Sequence, residues 1–468
     1  MDTAPATAAA PPRHPRLTLA ATILGSSLAF VDGSVVNVAL PDIGRGLQAD
    51  TAALQWTINA YLLPLSALLL FGGAAGDHYG RRRIFLWGIV IFALASVACA
   101  LAPGQSVLLA ARGLQGLGAA LLMPNSLAIL GAAFSDEARG RAIGTWAAVG
   151  AISAAIGPPL GGWLVQAAGW RSIFLLNLPL ALAAWWLGHR YVDESADPAR
   201  PLDVVGALLA TLALGALSWA LTVWSGKGPS GSAVLLPLLA GVVLLGTFLL
   251  FEARLGDRAM MPRHMFASRA FVGLTVLTFL LYGALGGLLV LLPYFLIEAA
   301  HYTPLQAGLT FLPFSIILGF GSRAMGRLAE RVGPRWPLTL GPMVAGFGLL
   351  LFMRISADAG YWNTVFPAMV VLALGMAGAV APLTTAVLSS VDRHHTGTAS
   401  GFNSAVARTG GLIATALCGA VIGHQGAELA SAFHAATLLG AGCAFLSALA
   451  GFLTLSSVKR QPAKGSPH

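Results

Sequence analysis

Long apolar runs separated by short polar loops dominate this chain. Fourteen runs are long enough to cross a bilayer as helices, since about 20 residues rising roughly 1.5 Å each span the hydrocarbon core. They cover approximately residues 17–40, 53–75, 83–102, 106–133, 140–166, 171–190, 203–224, 232–252, 270–298, 304–326, 336–355, 361–390, 397–423 and 432–457. The first run is longer than the apolar core of a signal peptide, so we expect it to be retained. The pattern predicts an all-α integral membrane protein with 14 transmembrane helices.

Composition and charge agree with this class. The chain is 57% hydrophobic and 10% charged, whereas ordinary soluble domains are about 25% charged. Its net charge of +9 does not indicate nucleic-acid binding, because the basic residues are spread over short loops rather than gathered in one patch. With a cytoplasmic N-terminus, 21 Lys and Arg residues lie on the cytoplasmic side and only Arg45, Arg171, Lys227 and Arg354 lie outside. This asymmetry predicts a multi-pass protein of the cytoplasmic (inner) membrane with both termini in the cytoplasm.

The loops leave no room for a soluble catalytic domain. None contains a Gly-rich phosphate loop ending in Gly-Lys-Ser/Thr, so an ATP-driven motor within this chain is disfavoured. Cys99, Cys418 and Cys443 lie inside apolar runs, so neither a disulfide framework nor a thiolate metal site is indicated. We therefore expect a transporter rather than an enzyme, without a cofactor and driven by an ion gradient or by the gradient of its own substrate.

Two segments 253 residues apart repeat one pattern. Residues 73–82 and 326–335 both read Gly, three residues, an acid, two residues and Gly, with Asp77 and Glu330 as the acids and a basic residue within the next two positions. Each lies at a predicted cytoplasmic turn, which is typical of a parallel duplication within the membrane. The repeat predicts six-helix bundles at 17–190 and 270–457, joined by a linker, 191–269, that holds two extra helices. The tails 1–16 and 458–468 complete the predicted organisation.

Asp32 lies near the middle of the first run. A carboxylate at the centre of a membrane helix costs about 2.5–3.5 kcal/mol, so it is interpreted as part of an ion or substrate pathway. Burial favours the neutral acid and a nearby cation favours the carboxylate, so a conformational change can make such a group bind and release a proton. The alternative is a buried hydrogen-bonding or helix-capping carboxylate.

Two arginines also fall inside apolar runs. Arg112, with Gln115 one turn along, can donate to a substrate or to a proton-relay group, or it can extend to the membrane interface. Arg408 lies deeper in its run, a few residues after Asn403. Its depth favours a structural or gating ion pair over direct substrate contact.

The fifth run is rich in glycine and proline. Gly150, Gly157 and Gly161 share one helical face, which lets a neighbouring helix approach closely. Pro158 and Pro159 are expected to kink this helix.

Four motifs in order resemble those of the fourteen-helix drug/proton antiporter branch of the major facilitator superfamily. They are residues 31–41 (VDGSVVNVALP), 73–83 (GAAGDHYGRRR), 112–120 (RGLQGLGAA) and 150–162 (GAISAAIGPPLGG). The sequence departs from the usual pattern at Gly33 and Ser34, where a Thr is more common, at Ala75 for Leu and at His78 for a basic residue. The resemblance extends over residues 17–457 and implies the major facilitator fold.

The resemblance also implies roles for individual residues. Asp32 and Arg112 would serve proton coupling or cation binding, and the fifth helix would act as a seal and hinge that favours exchange. The implied cytoplasmic gating loop comprises Gly73, Asp77, Gly80, Arg81, Arg82 and Glu330. The implied polar residues of the central cavity are Asn37, Gln115, Asn403 and Arg408. The implied antiporter helix residues are Gly150, Gly157, Pro158, Gly161 and Gly162.

The sequence indicates the substrate less specifically than it indicates the fold. Phe30, Tyr61, Tyr282 and Tyr294 are candidate lining residues of a pocket for lipophilic cations, with ordinary packing as the alternative. The favoured function is proton-driven export of hydrophobic, often cationic, drugs or dyes. A dedicated exporter of one metabolite or antibiotic and a non-transporting membrane scaffold or receptor remain alternatives, and uptake remains possible in principle. The expected partners are the substrate, protons and the lipid bilayer, and we expect a monomer that binds no nucleic acid.

Overall fold

The computed structural model describes residues 14–134, 136–196, 203–227, 231–255, 263–356, 360–391 and 396–455, and the regular secondary structure of these residues is helical. The first half contains α1 (Pro15–Leu47), α2 (Thr51–Ala67), α3 (Leu69–Tyr79), α4 (Arg81–Ala100), α5 (Gln105–Ala133), α6 (Asp136–Ala168), α7 (Ser172–Leu175) and α8 (Asn177–Tyr191). The middle contains α9 (Val204–Lys227) and α10 (Ser232–Leu255). The second half contains α11 (Arg269–Glu298), α12 (Pro304–Leu309), α13 (Leu312–Val332), α14 (Arg335–Leu351), α15 (Val365–Ser389), α16 (Thr396–Leu417), α17 (Gly419–Ile422) and α18 (Gly426–Thr454). Short 3₁₀ segments lie at Arg263–Ala267, Phe352–Arg354 and Tyr361–Asn363.

Each of the fourteen predicted runs coincides with one helix or with two helices in series. Within the described residues, twelve helical segments are long and apolar enough to cross a membrane, and α2 with α3 makes a thirteenth that bends by 48°. Pro64 in the last turn of α2 provides a cause for this bend. Helix α6 has 33 residues and is about 50 Å long, which is enough to cross a bilayer. These helices are consistent with the predicted count of 14.

The helices pack as two bundles and a pair. Helices α1–α6 and α8 contact one another in the first bundle, and α11, α13–α16 and α18 do so in the second. Helices α9 and α10 pack against each other, and α9 also packs against α2 and α16. Leu236, Val243 and Leu250 of α10 are exposed, as expected of side chains that face lipid.

The repeated segments form equivalent turns. Gly80 ends α3 with a φ of +104° and Gly333 ends α13 with a φ of +85°. Both conformations lie in the left-handed region that only glycine adopts without strain. The internal repeat in the sequence is therefore also a repeat in the backbone.

The glycine face of α6 packs against α1. A methyl group at Gly150 would overlap the ring of Phe30, and one at Gly161 would overlap Val35. Gly157 has no room either, because Ser34 lies directly above it. The face predicted from the glycine spacing is thus the face along which these two helices meet. Pro158 and Pro159 lie within α6, which continues through them.

A second edge of α6 joins the two bundles. Gly162 lies against the backbone carbonyl of Pro304, and Gly308 lies against the backbone carbonyl of Pro158. Glu298 of α11 lies six residues before Pro304 and on the same predicted outer side. It forms an ion pair with Arg45 of α1 at 3.0 Å. Backbone contact between α6 and α12 therefore brings the bundles together at this end of the molecule.

We predict that Gly162→Ala lowers the thermal unfolding midpoint of the purified protein in detergent. The added methyl group would meet the Pro304 backbone, and overpacking of this kind costs about 1–3 kcal/mol. Gly144→Ala on the same helix is the matched control, because nothing lies within 4 Å of its added methyl group. A midpoint for Gly162→Ala equal to that of Gly144→Ala would show that the α6–α12 contact is not tight.

Candidate functional site

Asp32 lies in a polar cluster at the middle of the first bundle. It is the eighteenth of the 33 residues of α1 and is completely buried. Its Oδ2 accepts a hydrogen bond from Arg112 Nη1 at 2.5 Å, and its Oδ1 accepts from Gln115 Nε2 at 3.2 Å and from Asn177 Nδ2 at 3.0 Å. All three partners are donors, which is the set that an ionised carboxylate requires.

Arg112 is held by more than Asp32. Only 1% of the residue is exposed, and its Nε donates to the backbone carbonyl of Thr57 at 3.0 Å. The Arg112 Nη1 also donates to Gln115 Oε1 at 2.8 Å, and the guanidinium lies 4.4 Å from the centre of the Tyr61 ring. This ring contact is a cation–π interaction. Arg112 therefore points into the bundle rather than to the membrane interface.

Gln115 connects the ion pair to further polar groups. Its Nε2 donates to Ser96 Oγ at 2.8 Å, which also accepts from Asn177 Nδ2 at 3.2 Å. The thiol of Cys99 donates to Gln115 Oε1 at 3.3 Å. Sequence reasoning missed Ser96 and Asn177, although Asn177 is the only amide in an otherwise apolar run and could have been noticed for that reason.

The cluster links the charge of Asp32 to the position of α5. Taking two ions out of water is expensive, and close pairing with full hydrogen bonding offsets that cost. Protonation of Asp32 would remove its negative charge and leave the Arg112 guanidinium without a counter-charge. Loss of the charge on Asp32 would therefore favour a rearrangement of Arg112 or of the helix that carries it.

Arg408 stands apart from this cluster. Its Nη2 lies 3.3 Å from the sulfur of Met123, and among the described residues no carboxylate is within ion-pair distance of it. The ion pair that sequence reasoning favoured for Arg408 is thus not found in this part of the chain. Asn403 accepts a hydrogen bond from Thr278 at 2.7 Å. Asn37 is buried, and within the described chain its side-chain oxygen has no hydrogen-bond partner.

The four candidate aromatic residues do not gather in one pocket. Phe30 packs edge-on against Trp146 at 5.8 Å between ring centres. Tyr61 belongs to the Arg112 cluster, and its hydroxyl donates to a backbone carbonyl of α1 at 3.1 Å. Tyr282 packs against the core of the second bundle, and Tyr294 donates to a backbone carbonyl of α17 at 2.9 Å. Only Tyr61 therefore contacts the buried ion pair.

The predicted gating loop is compact around the turn between α3 and α4. Asp77 forms an ion pair with Arg81 at 2.8 Å. Gly73 lies against the ring of Pro124, and Arg82 donates to the backbone carbonyl of His189. The side chain of Glu330, in the second repeat, lies outside the described part of the structure.

Glu194, which sequence reasoning missed, lies in the segment after α8 and forms hydrogen bonds with this loop. Its two carboxylate oxygens accept from the backbone N–H groups of Arg82 at 3.0 Å and Arg83 at 3.1 Å, which belong to the first turn of α4. A carboxylate at a helix N-terminus satisfies free N–H donors and interacts favourably with the helix dipole. Gly80 faces the same carboxylate and leaves no room for a side chain. The segment after α8 is thereby tied to the gating loop.

An open cavity of about 450 Å³ lies on the predicted outer side of the second half. It is lined by Tyr302, Gln306, Leu309, Thr310 and Tyr361. None of the candidate residues from the sequence lines it. Among the described residues, no group of His, Cys, Asp and Glu side chains is arranged to hold a metal ion.

We predict that Asp32 and Arg112 are strongly coupled in stability. Asp32→Asn leaves a buried arginine without its counter-charge, which costs about 3–5 kcal/mol. The double variant Asp32→Asn/Arg112→Gln should therefore have a higher thermal unfolding midpoint than Asp32→Asn alone. Asp42→Asn is the control, because this second aspartate of α1 is partly exposed and pairs with the exposed Arg45. Additive effects of the two single substitutions would contradict the predicted coupling.

We also predict that Glu194→Ala destabilises the protein by about 0.5–2 kcal/mol through loss of the cap on α4. Hydrogen exchange at the first turn of α4 should become faster, since its N–H groups lose their acceptor. Asp193→Ala, one residue earlier and exposed, is the matched control. Unchanged exchange at Arg82 and Arg83 would show that Glu194 does not fasten the loop.

Comparison with known proteins identifies the family to which this chain belongs. The profile of the Major Facilitator Superfamily matches residues 22–415, and a second match covers residues 274–468. The chain is 36% identical over 413 residues to the multidrug resistance protein Stp of Mycobacterium tuberculosis, covering 87% of this chain and 75% of that protein. It is 34% identical over 437 residues to the methylenomycin A resistance protein of Bacillus subtilis, covering 93% of each.

Other similarities agree with these. The tetracenomycin C resistance and export protein of Streptomyces glaucescens is 32% identical over 414 residues, covering 88% of this chain and 77% of that protein. A crystal structure of the peptide transporter POT in complex with sulfate has a TM-score of 0.68 at 16% identity, covering 94% of this chain and 93% of that one, and thus shares the fold. This chain is a multi-span membrane protein that belongs to the Major Facilitator Superfamily.

Proposed function

We propose that this protein exports small hydrophobic drugs or antibiotics across the cytoplasmic membrane in exchange for protons, by alternating access. The observation that carries the proposal is the fully buried Asp32–Arg112 pair at the middle of a membrane bundle. An ionisable pair in that place is expensive and is usually retained for transport of ions or protons. The names of the relatives, which describe drug resistance, drug efflux and export, support the direction and the class of substrate.

The proton step uses the two states of Asp32. With the carboxylate ionised, Arg112, Gln115 and Asn177 hold it inside the first bundle. A proton that arrives from the outer side neutralises the carboxylate and weakens its attraction to Arg112. The proton and the substrate then stabilise different conformations of one protein, and each drives the release of the other.

The conformational step separates the outer ends of the bundles. The contact between α6 and α12 and the ion pair of Arg45 with Glu298 join these ends, so both must open when the cavity faces outward. The glycine face of α6 provides the surface on which α1 moves. The loop of Asp77 and Arg81, tied down by Glu194, acts on the cytoplasmic side. In this proposal the protein works as a monomer with both termini in the cytoplasm.

A dedicated exporter of one compound is the second candidate. It is favoured by relatives whose names give a single antibiotic, methylenomycin A or tetracenomycin C. Competition separates the two candidates, because a multidrug exporter is inhibited by several unrelated compounds and a dedicated one is not.

The test is substrate-induced proton release from proteoliposomes that contain the purified protein. The panel comprises methylenomycin A, tetracenomycin C and puromycin, the antibiotics named for relatives, together with ethidium. We expect proton release with one or more compounds in the wild type and at least a 100-fold lower rate in the double variant Asp32→Asn/Arg112→Gln, which keeps the buried charges balanced. Asp42→Asn should behave as the wild type.

Two results would contradict the proposal. Proton release that persists in the double variant would show that coupling does not depend on Asp32. Counter-transport of a substrate with no movement of protons would show that another ion, or the substrate gradient alone, drives the exchange.

A further inference from the structure

Arg408 carries a charge for which the described chain has no counter-charge. It is the thirteenth of the 22 residues of α16, well inside the membrane. A guanidinium has five N–H donors, and among the described residues the one hydrogen-bond acceptor that the Arg408 side chain reaches is the thioether of Met123 at 3.3 Å. A thioether is a weak acceptor, so the charge is left largely unsatisfied.

The charges in the middle of the membrane do not cancel. Among the described side chains, those that are charged and lie at mid-depth in the two bundles are Asp32, Arg112 and Arg408. Asp32 and Arg112 neutralise each other within the first bundle. The remaining charge is +1, and it belongs to Arg408.

Arg408 lies where the two bundles meet. It is on α16 of the second bundle, and its partner Met123 is on α5 of the first. Two turns towards the start of α16, Gly401 contacts Leu70 of α3 in the first bundle. This part of α16 therefore faces the boundary between the bundles, which is where transporters with two repeats bind substrate.

The face of α16 that carries Arg408 borders open space. Ser404, Arg408 and Gly411 follow one another at helical spacing and so share a face. Ser404 is exposed, Arg408 is partly exposed, and nothing lies within 4 Å of a methyl group placed on Gly411. This face of α16 is therefore open to a molecule that enters between the bundles.

Asp32, in contrast, is not available to a cationic drug in this state. Its carboxylate is completely buried and accepts hydrogen bonds from three side chains. A cation between the bundles would meet the positive charge of Arg408 without a free carboxylate. An anion would gain a charge-assisted hydrogen bond to a guanidinium whose geometry suits two oxygens.

We propose that Arg408 is the substrate-binding charge of the central cavity and that the exported compounds are hydrophobic and acidic, such as lipophilic carboxylates or phenolates. This proposal rests on the proposed export function and specifies the charge of its substrate. The anionic group binds Arg408, and the apolar remainder of the molecule lies among side chains of α5 and α16 such as Met123.

The test uses two probes of similar shape and opposite charge, 4-phenylbenzoate, whose carboxylate can accept hydrogen bonds, and 4-phenylbenzylammonium. Equilibrium binding of each is measured to the purified full-length protein in detergent. We expect the wild type to bind 4-phenylbenzoate at least 10-fold more tightly than 4-phenylbenzylammonium. Arg408→Gln should lose this preference through at least a 10-fold weaker binding of the anion, and Arg408→Lys should retain part of it. Arg354→Gln, which removes an arginine at the predicted outer surface, should leave the ratio unchanged.

Two outcomes would overturn the proposal. One is a wild type that binds the ammonium probe as tightly as the carboxylate probe or more tightly. The other is an Arg408→Gln variant with an unchanged ratio, which would show that Arg408 does not set the charge preference. Binding needs no gradient, so the two proposals can fail separately. A charge preference without proton release would contradict the antiport proposal alone. Proton release without a charge preference would contradict only the inference about the charge of the substrate.

Discussion

The close pairing of Asp32 with Arg112 inside the first bundle is the constraint on which the arrangement of that bundle depends. Two charges removed from water are tolerated only where geometry is close and the remaining donors and acceptors are satisfied. Five helices supply those groups: α1 the carboxylate, α2 the carbonyl of Thr57, α4 the hydroxyl of Ser96, α5 the arginine and glutamine, and α8 the amide of Asn177. A shift of any one of them by an ångström or two would leave a buried charge or amide without its partner.

Helix α1 connects this chemistry to the boundary between the bundles. Asp32 projects towards α5 and α8, while Ser34 and Val35, two and three residues later, meet the glycine face of α6. The next residues of α6 in turn meet α12 of the second bundle through Gly162. At these contacts the α6 side is bare glycine, so Ser34 and Val35 of α1 lie directly against the α6 backbone. In the proposed mechanism, a change in the charge of Asp32 that displaces α1 would reach the outer contact between the bundles through these helix contacts.

The sequence was informative where a polar residue stands out against an apolar background. The apolar runs predicted the helix ends to within seven residues, and Asp32, Arg112 and Gln115 were identified because such side chains are costly in a membrane. Which groups complete the cluster depends on how helices distant in the sequence pack, so Ser96 and Asn177 were not found. The same dependence explains why, among the described residues, no ion pair of Arg408 is found and why Tyr294 donates to a carbonyl of the second half. Glu194 was missed because an acid in a polar segment carries no distinctive signal.

The two halves repeat in backbone but differ in charge, and this difference bears on how coupling works. Gly80 and Gly333 form the same turn, whereas in the described chain the neutralised pair lies in the first bundle and Arg408 in the second. If the proton is bound at Asp32 and an acidic substrate at Arg408, the two ligands need not compete for one carboxylate. Tyr61 contacts the first of these sites, since the Arg112 guanidinium lies over its ring. Exchange would then follow from the relative movement of the bundles that carry the two sites, with each ligand favouring the opposite arrangement.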